Sequence, residues 1–104
     1  MRNSSGEFIR ANLDSLALAA KGASAVTKTP PSITNSPTSG AYPITTFTWL
    51  FLSHQISDPA KKTALYELLR WILTDGQNEC SALAYAPLPP HVAQRELGWL
   101  QDLK

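Results

Sequence analysis

Two histidines, one cysteine and eight carboxylates are the side chains of this 104-residue sequence that could do acid–base, nucleophilic or metal chemistry. His54 and His91 stand 37 positions apart, with no acidic partner at metal-ligand spacing, and read as surface histidines. Ser53 and His54 are adjacent. Neighbours on a strand point to opposite faces, so the pair lacks the hydrogen-bond reach that a nucleophile and its base need. Cys80 follows Glu79, and a carboxylate beside a thiol disfavours the thiolate, so Cys80 reads as a small packing residue. A single cysteine also excludes an internal disulfide and a multi-cysteine zinc site. No catalytic residue, metal ligand or cofactor is expected, and the chain does not read as an enzyme.

Anion binding is the other chemistry to weigh. Helix N-termini offer free N–H groups to an anion, and Asn12 and Asp58 mark two of them. Asp58, however, puts a negative charge where the anion would sit, and five glycines in the whole chain form no phosphate loop. Both positions read as ordinary helix caps. Phe47, Trp49, Phe51, Trp71, Tyr85 and Trp99 could form a platform for sugars or bases, but no basic residues alternate with them, so they read as core. A formal charge of +1 argues against a nucleic-acid partner. Only 16% of residues are charged, well below the usual quarter, which implies that part of the surface is meant to be covered. No apolar run, Trp49–Leu52 included, is long enough to cross a bilayer. Met1–Gly6 is polar and reads as lacking a signal peptide.

The elements that would hold these residues follow from periodicity. Asn12 caps a short helix over 12–22, with Leu13, Leu16, Ala17 and Ala20 on one face and Gly22 as a left-handed stop. Residues 23–42 hold eight Ser or Thr plus Pro30, Pro31 and Pro37, and read as a connection between two bodies. Residues 44–53 are β-branched and aromatic and predict a strand. Phe47, Trp49 and Phe51 would share one face, and the second half is apolar on both. Asp58 and Pro59 open a helix over 58–75, whose Leu65, Leu68, Leu69, Ile72 and Leu73 form a stripe and whose Glu67 and Arg70 can pair. Gly76 would end it. A shorter helix is expected near 78–83, then a rigid turn at Tyr85–Pro90 and a last helix from Pro90 to about Leu103. One strand, several helices and no sheet read as a piece of an α/β protein.

Several segments carry a resemblance. Ser32-Ile33-Thr34-Asn35-Ser36-Pro37 and Ala41-Tyr42-Pro43-Ile44-Thr45-Thr46-Phe47-Thr48-Trp49-Leu50 are followed in order by Asp58-Pro59-Ala60-Lys61, Trp71, Gly76-Gln77 and Leu83-Ala84-Tyr85-Ala86-Pro87-Leu88-Pro89. Together with Asn3–Phe8, these resemble the phosphate-binding proteins of bacterial phosphate ABC transporters, the PstS-type solute-binding proteins. The resemblance covers essentially the whole chain and matches the family's C-terminal third or so. It implies an α/β fold, the type II periplasmic-binding-protein fold, in which two lobes close around inorganic phosphate. Residues 1–40 would be the tail of the second lobe and the inter-lobe crossing, and 41–104 the C-terminal part of the first lobe. Ala41, Tyr42, Pro43 and Ile44 would form the hinge return. It further implies a membrane permease as partner and a periplasmic or cell-envelope location. The family's phosphate contacts come from earlier parts of its chain, so no phosphate-binding residue is expected here. Because the secretion signal has no counterpart either, a start site within a longer frame or a shortened gene is expected. The alternative is a truncated remnant or interaction module that binds no ligand alone and needs a partner chain.

Overall fold

The structure, a computed structural model, describes residues 1–22 and 32–102. The expected connection over 23–42 therefore lies partly outside the described residues. Three α-helices and two short 3-10 turns run in the order α1 (Leu13–Lys21), α2 (Pro59–Leu73), turns at Asp75–Glu79 and Ser81–Leu83, and α3 (Pro90–Gln101). Each α-helix begins where the sequence signals it. Asn12 accepts from the Ser15 N–H at 2.8 Å, and Ser15 Oγ accepts from the Asn12 N–H at 3.1 Å, which pairs two otherwise orphan donors. Asp58 accepts from the Ala60 and Lys61 N–H groups, with Pro59 fixing the first helical φ. Proline at the start of α3 does the same without a side-chain cap.

Two ends differ from expectation. Gly22 closes α1 at φ −77°, in right-handed geometry, so its small size rather than its backbone freedom is used there. A Cβ at that position would run into Thr38 Oγ1. The stop of α2 is Thr74 rather than Gly76, and its N–H donates to the Trp71 carbonyl at 3.2 Å.

The N-terminal body is held by hydrogen bonds more than by apolar burial. Met1–Ile9 folds back on itself through one antiparallel bridge, Arg2 to Phe8, with Asn3 N–H on Glu7 O at 2.8 Å and Ile9 N–H on Met1 O at 2.8 Å. Ser4 and Ser5 donate to the carbonyls of Ser36 and Pro37, and Tyr42 N–H donates to Ser15 O at 3.0 Å. Its core is three alanines and one isoleucine: Ala19, Ala20, Ala41 and Ile33. Residues 32–45 thus pack on the N-terminal hairpin and α1.

The C-terminal body is α2 against α3, capped by the two 3-10 turns. Val92 and Leu100 are its buried apolar residues, and α2 buries none completely. Among the described residues no large side chain in either body is fully buried.

The strand expected over 44–53 is not part of a sheet. Arg2–Phe8 is the β-bridge among the described residues, and no hydrogen bond among them involves a backbone group of Thr48–Leu52. A β-rich sequence specifies a strand only when another edge is available to pair with it, and this one finds none. The molecule is elongated, 51 × 30 × 17 Å. Its radius of gyration is 15.6 Å, against about 13 Å for a compact domain of this size.

Candidate functional site

Residues 47–54 run along α2 and α3 and leave an open groove of about 480 Å³ between them. The α2 stripe supplies Leu69, Ile72 and Leu73, and α3 supplies Val92, Trp99 and Leu100. From the connecting segment come Phe47, Trp49, Leu50 and Leu52. The rings of Phe47 and Trp49 meet edge to face at 5.6 Å, so residues two apart share a side, as the strand pattern predicts. Phe51 departs from that pattern. It is 86% exposed and lies outside the groove.

Charge in the groove is balanced and largely tied up. Arg95 donates to Glu96 Oε1 from Nε at 3.2 Å and Nη2 at 3.1 Å, and this replaces the expected Glu67–Arg70 pair as the ion pair among the described residues. Lys62, His54 and Asp102 also line it. The lining is mostly apolar, a poor place for a hydrated oxyanion and a good one for side chains.

One glutamine anchors the floor of this body. Gln77 Nε2 donates to Ile72 O at 2.7 Å, and its Oε1 accepts from the Leu88 N–H at 2.7 Å, which ties the end of α2 to the Pro87–Pro90 turn. Cys80 is half-buried beside it, with Sγ 3.8 Å from Gly76 O and 4.0 Å from Gln77 Oε1. Ser53 Oγ bonds the backbone of Gln55 rather than His54. Among the described residues no group of three His, Cys, Asp or Glu side chains is placed to hold a metal ion.

The other cluster of polar groups is in the N-terminal body. Glu7 carries its carboxylate to the loop before Ala41, accepting from Gly40 N–H at 2.8 Å, Ser39 Oγ at 2.9 Å and Asn3 Nδ2 at 3.1 Å. The Gly40 N–H foremost, then the Asn3 and Ser39 side chains, hold its pKa below the ordinary 4.5. Asn3 is buried and fully used: it also accepts from Glu7 N–H at 2.9 Å and donates to Ala41 O at 3.3 Å. Neither Glu7 nor Gln77 is legible in advance, because each works through a partner 11 to 33 positions away.

This clasp positions the residues expected at the hinge. Ala41 is fully buried, with its N–H on Thr38 O at 3.1 Å. Tyr42 is fixed to α1, and the Pro43 carbonyl accepts from Asn35 N–H at 2.7 Å. Ile44 is 61% exposed, while Thr45 after it is buried, its carbonyl accepting from Thr34 Oγ1 at 3.2 Å.

No family model and no solved structure matches the chain. Curated proteins do. It is 32% identical over 107 residues to the phosphate-binding protein PstS of Xylella fastidiosa strain Temecula1, and 31% identical to that of strain 9a5c. Each match takes in 100% of this chain and 29% of the relative, so the chain spans about three-tenths of the length of the curated relatives it matches. The matching stretch is the C-terminal part of those proteins, which establishes a PstS-like sequence relationship. No described helix is long and apolar enough to cross a membrane.

Proposed function

We propose that this chain serves as the C-terminal part of a phosphate-binding component of an ABC-type importer, in a two-lobed α/β binding protein of the cell envelope. The observation that carries this reading is the end-to-end match to two phosphate-binding proteins. The phosphate ligands lie outside this stretch. In support, the groove is apolar, Arg95 is engaged by Glu96, and the one carboxylate clasp would repel an anion. Residues 1–40 serve the second lobe and the crossing, and residues 41–104 serve the first. The chain's part in lobe closure is mechanical. The clasped residues Ala41–Pro43, together with buried Thr45, whose carbonyl accepts from Thr34 Oγ1, give a fixed anchor, and the dihedral change of closure is taken up beyond them. The membrane permease is the partner of the assembled protein.

The test is reconstitution. This chain is co-expressed with the Xylella relative shortened by its matching stretch, and inorganic phosphate is titrated calorimetrically into the purified complex and into the chain alone. The reading expects 1:1 phosphate binding by the complex and none by the chain. A folded complex that binds no phosphate overturns it.

A further inference from the structure

Residues 36–41 keep their shape because the N-terminal hairpin grips them. Pro37 and Ser39 are exposed, and Gly40 turns in the left-handed region at φ +77°. A glycine turn has no side chain to pack and more backbone freedom to lose than any other residue. The hairpin supplies the missing restraint. Ser4 Oγ donates to Ser36 O at 3.0 Å and Ser5 Oγ to Pro37 O at 3.1 Å. Closer to the expected hinge, Glu7 accepts from Ser39 Oγ and Gly40 N–H, and Asn3 Nδ2 donates to Ala41 O. The grip thus reaches the first of the hinge residues.

Glu7 organises the end of this grip that meets the hinge. Its Oε2 takes both the Gly40 N–H and Asn3 Nδ2, and its Oε1 takes Ser39 Oγ. Asn3 is held in turn by Glu7, since its Oδ1 accepts from the Glu7 N–H at 2.9 Å while its Nδ2 reaches Ala41 O. Bonds to a carboxylate are the stronger kind. Removing this one side-chain group therefore frees Gly40 directly and Ala41 through Asn3. The rest of the anchor, Tyr42 on Ser15 and Pro43 on Asn35, follows in sequence. A segment ordered before its ligand arrives adds no ordering cost to binding. A loose one lowers the apparent affinity by the fraction of time it is competent.

We propose that Glu7 is a positioning residue for phosphate binding: it holds Gly40 and, through Asn3, Ala41 in the conformation about which the lobes close, so that affinity depends on a carboxylate that does not touch the anion. This rests on the reading above that the chain works within a phosphate-binding protein, and it adds which side chain sets the hinge. The sign of the effect separates positioning from contact. A carboxylate beside the anion would repel it, and its removal would tighten binding; a positioning carboxylate weakens binding when it is lost.

The test is calorimetry with inorganic phosphate at neutral pH on the co-expressed complex described above, joined to amide exchange on the same variants of the chain alone. Glu7→Ala is expected to weaken phosphate binding about tenfold at unchanged 1:1 stoichiometry, and to quicken exchange at Gly40, Ala41 and Tyr42 by about the same factor or more. In Glu7→Gln the amide oxygen still accepts from the Gly40 N–H and the amide nitrogen donates to Ser39 Oγ, so affinity should return to within about threefold of native. Asp58→Ala, which loosens α2 and leaves the hairpin untouched, should bind phosphate as the native complex does. Equal affinity in the native and Glu7→Ala complexes overturns the proposal, and so does tighter binding by either Glu7 variant. A fall in stoichiometry at unchanged affinity overturns it too, since that is the mark of a variant that merely fails to fold. An equal loss in Asp58→Ala, or a loss in Glu7→Ala with the Gly40–Tyr42 amides undisturbed, does the same. A native complex that forms and binds no phosphate refutes the transport role and this proposal together, whereas native binding that ignores Glu7→Ala refutes this proposal alone.

Discussion

The two bodies of this chain satisfy their backbone in opposite ways. In the N-terminal body, Asn3, Ser4, Ser5, Glu7 and Ser15 each reach a main-chain group, and residues 32–45 are bonded at nearly every turn. In the C-terminal body the helices satisfy themselves, a single glutamine ties them to the turn, and the apolar stripe of α2 faces an open groove. Side-chain-to-backbone bonding makes a small unit whole with little apolar core. Amphipathic helices without a covering layer remain unfinished, however well they are capped. The three tryptophans all lie outside the N-terminal body, so their fluorescence follows the C-terminal body and its segment, and the Tyr42 amide follows the other.

Substituting Gly40 is expected to do the largest damage and to confine it to the N-terminal body. Gly40 has φ +77°, and a Cβ there would stand 2.9 Å from Leu18 Cδ1. Gly40→Ala should cost about 2 kcal/mol, from left-handed strain and overlap together. Exchange of the Tyr42 and Asn35 amides should quicken while the tryptophan transition in urea stays put. A shift of that transition would mean the bodies are one cooperative unit, and the contrast between them would fall.

Gln77→Ala is the mirror image. It strands the Leu88 N–H and the Ile72 carbonyl, and should lower the tryptophan transition by about 1–2 kcal/mol with no effect on Tyr42 exchange. Asp58→Ala removes a cap from α2 and should cost about 1 kcal/mol, read as helicity by far-ultraviolet circular dichroism.

The smallest effect is that of pH on Glu7. Its carboxylate is held below 4.5 in the folded state, chiefly by the Gly40 N–H, so it favours folding when ionised. That contribution is present above the unfolded value, near pH 4.5, and is lost as pH falls through the lower folded value. Protection of the Tyr42 amide, taken relative to its intrinsic exchange rate, should therefore fall as pH is lowered through the folded-state titration of Glu7 and lose this dependence in Glu7→Gln. Equal acid sensitivity in both proteins would show that the clasp does not act through charge.

How much of this was legible in the sequence follows the range of the interactions. All three α-helices lie where capping and periodicity put them, because Asn12, Asp58 and the prolines act within one turn. The segment around Trp49 carries strand chemistry but no strand, because pairing is non-local and its partner is not among the described residues. The stripe of α2 was legible as apolar, though not as half-open. Glu7 and Gln77, the two side chains that organise the bodies, carry no local signature. At Ala41–Ile44 the family resemblance implied a hinge, which nothing local in the residues signals, and the structure shows the first three anchored and the fourth exposed.

The most direct test of the account is amide exchange, resolved residue by residue, on the chain alone at neutral pH. Slow exchange at Asn35, Gly40 and Tyr42 and within α2 and α3, with Thr48–Leu52 exchanging as an unfolded peptide, is the predicted pattern. Slow exchange through Thr48–Leu52 in the isolated monomer would contradict it, for the segment would then be paired and the groove complete without a partner.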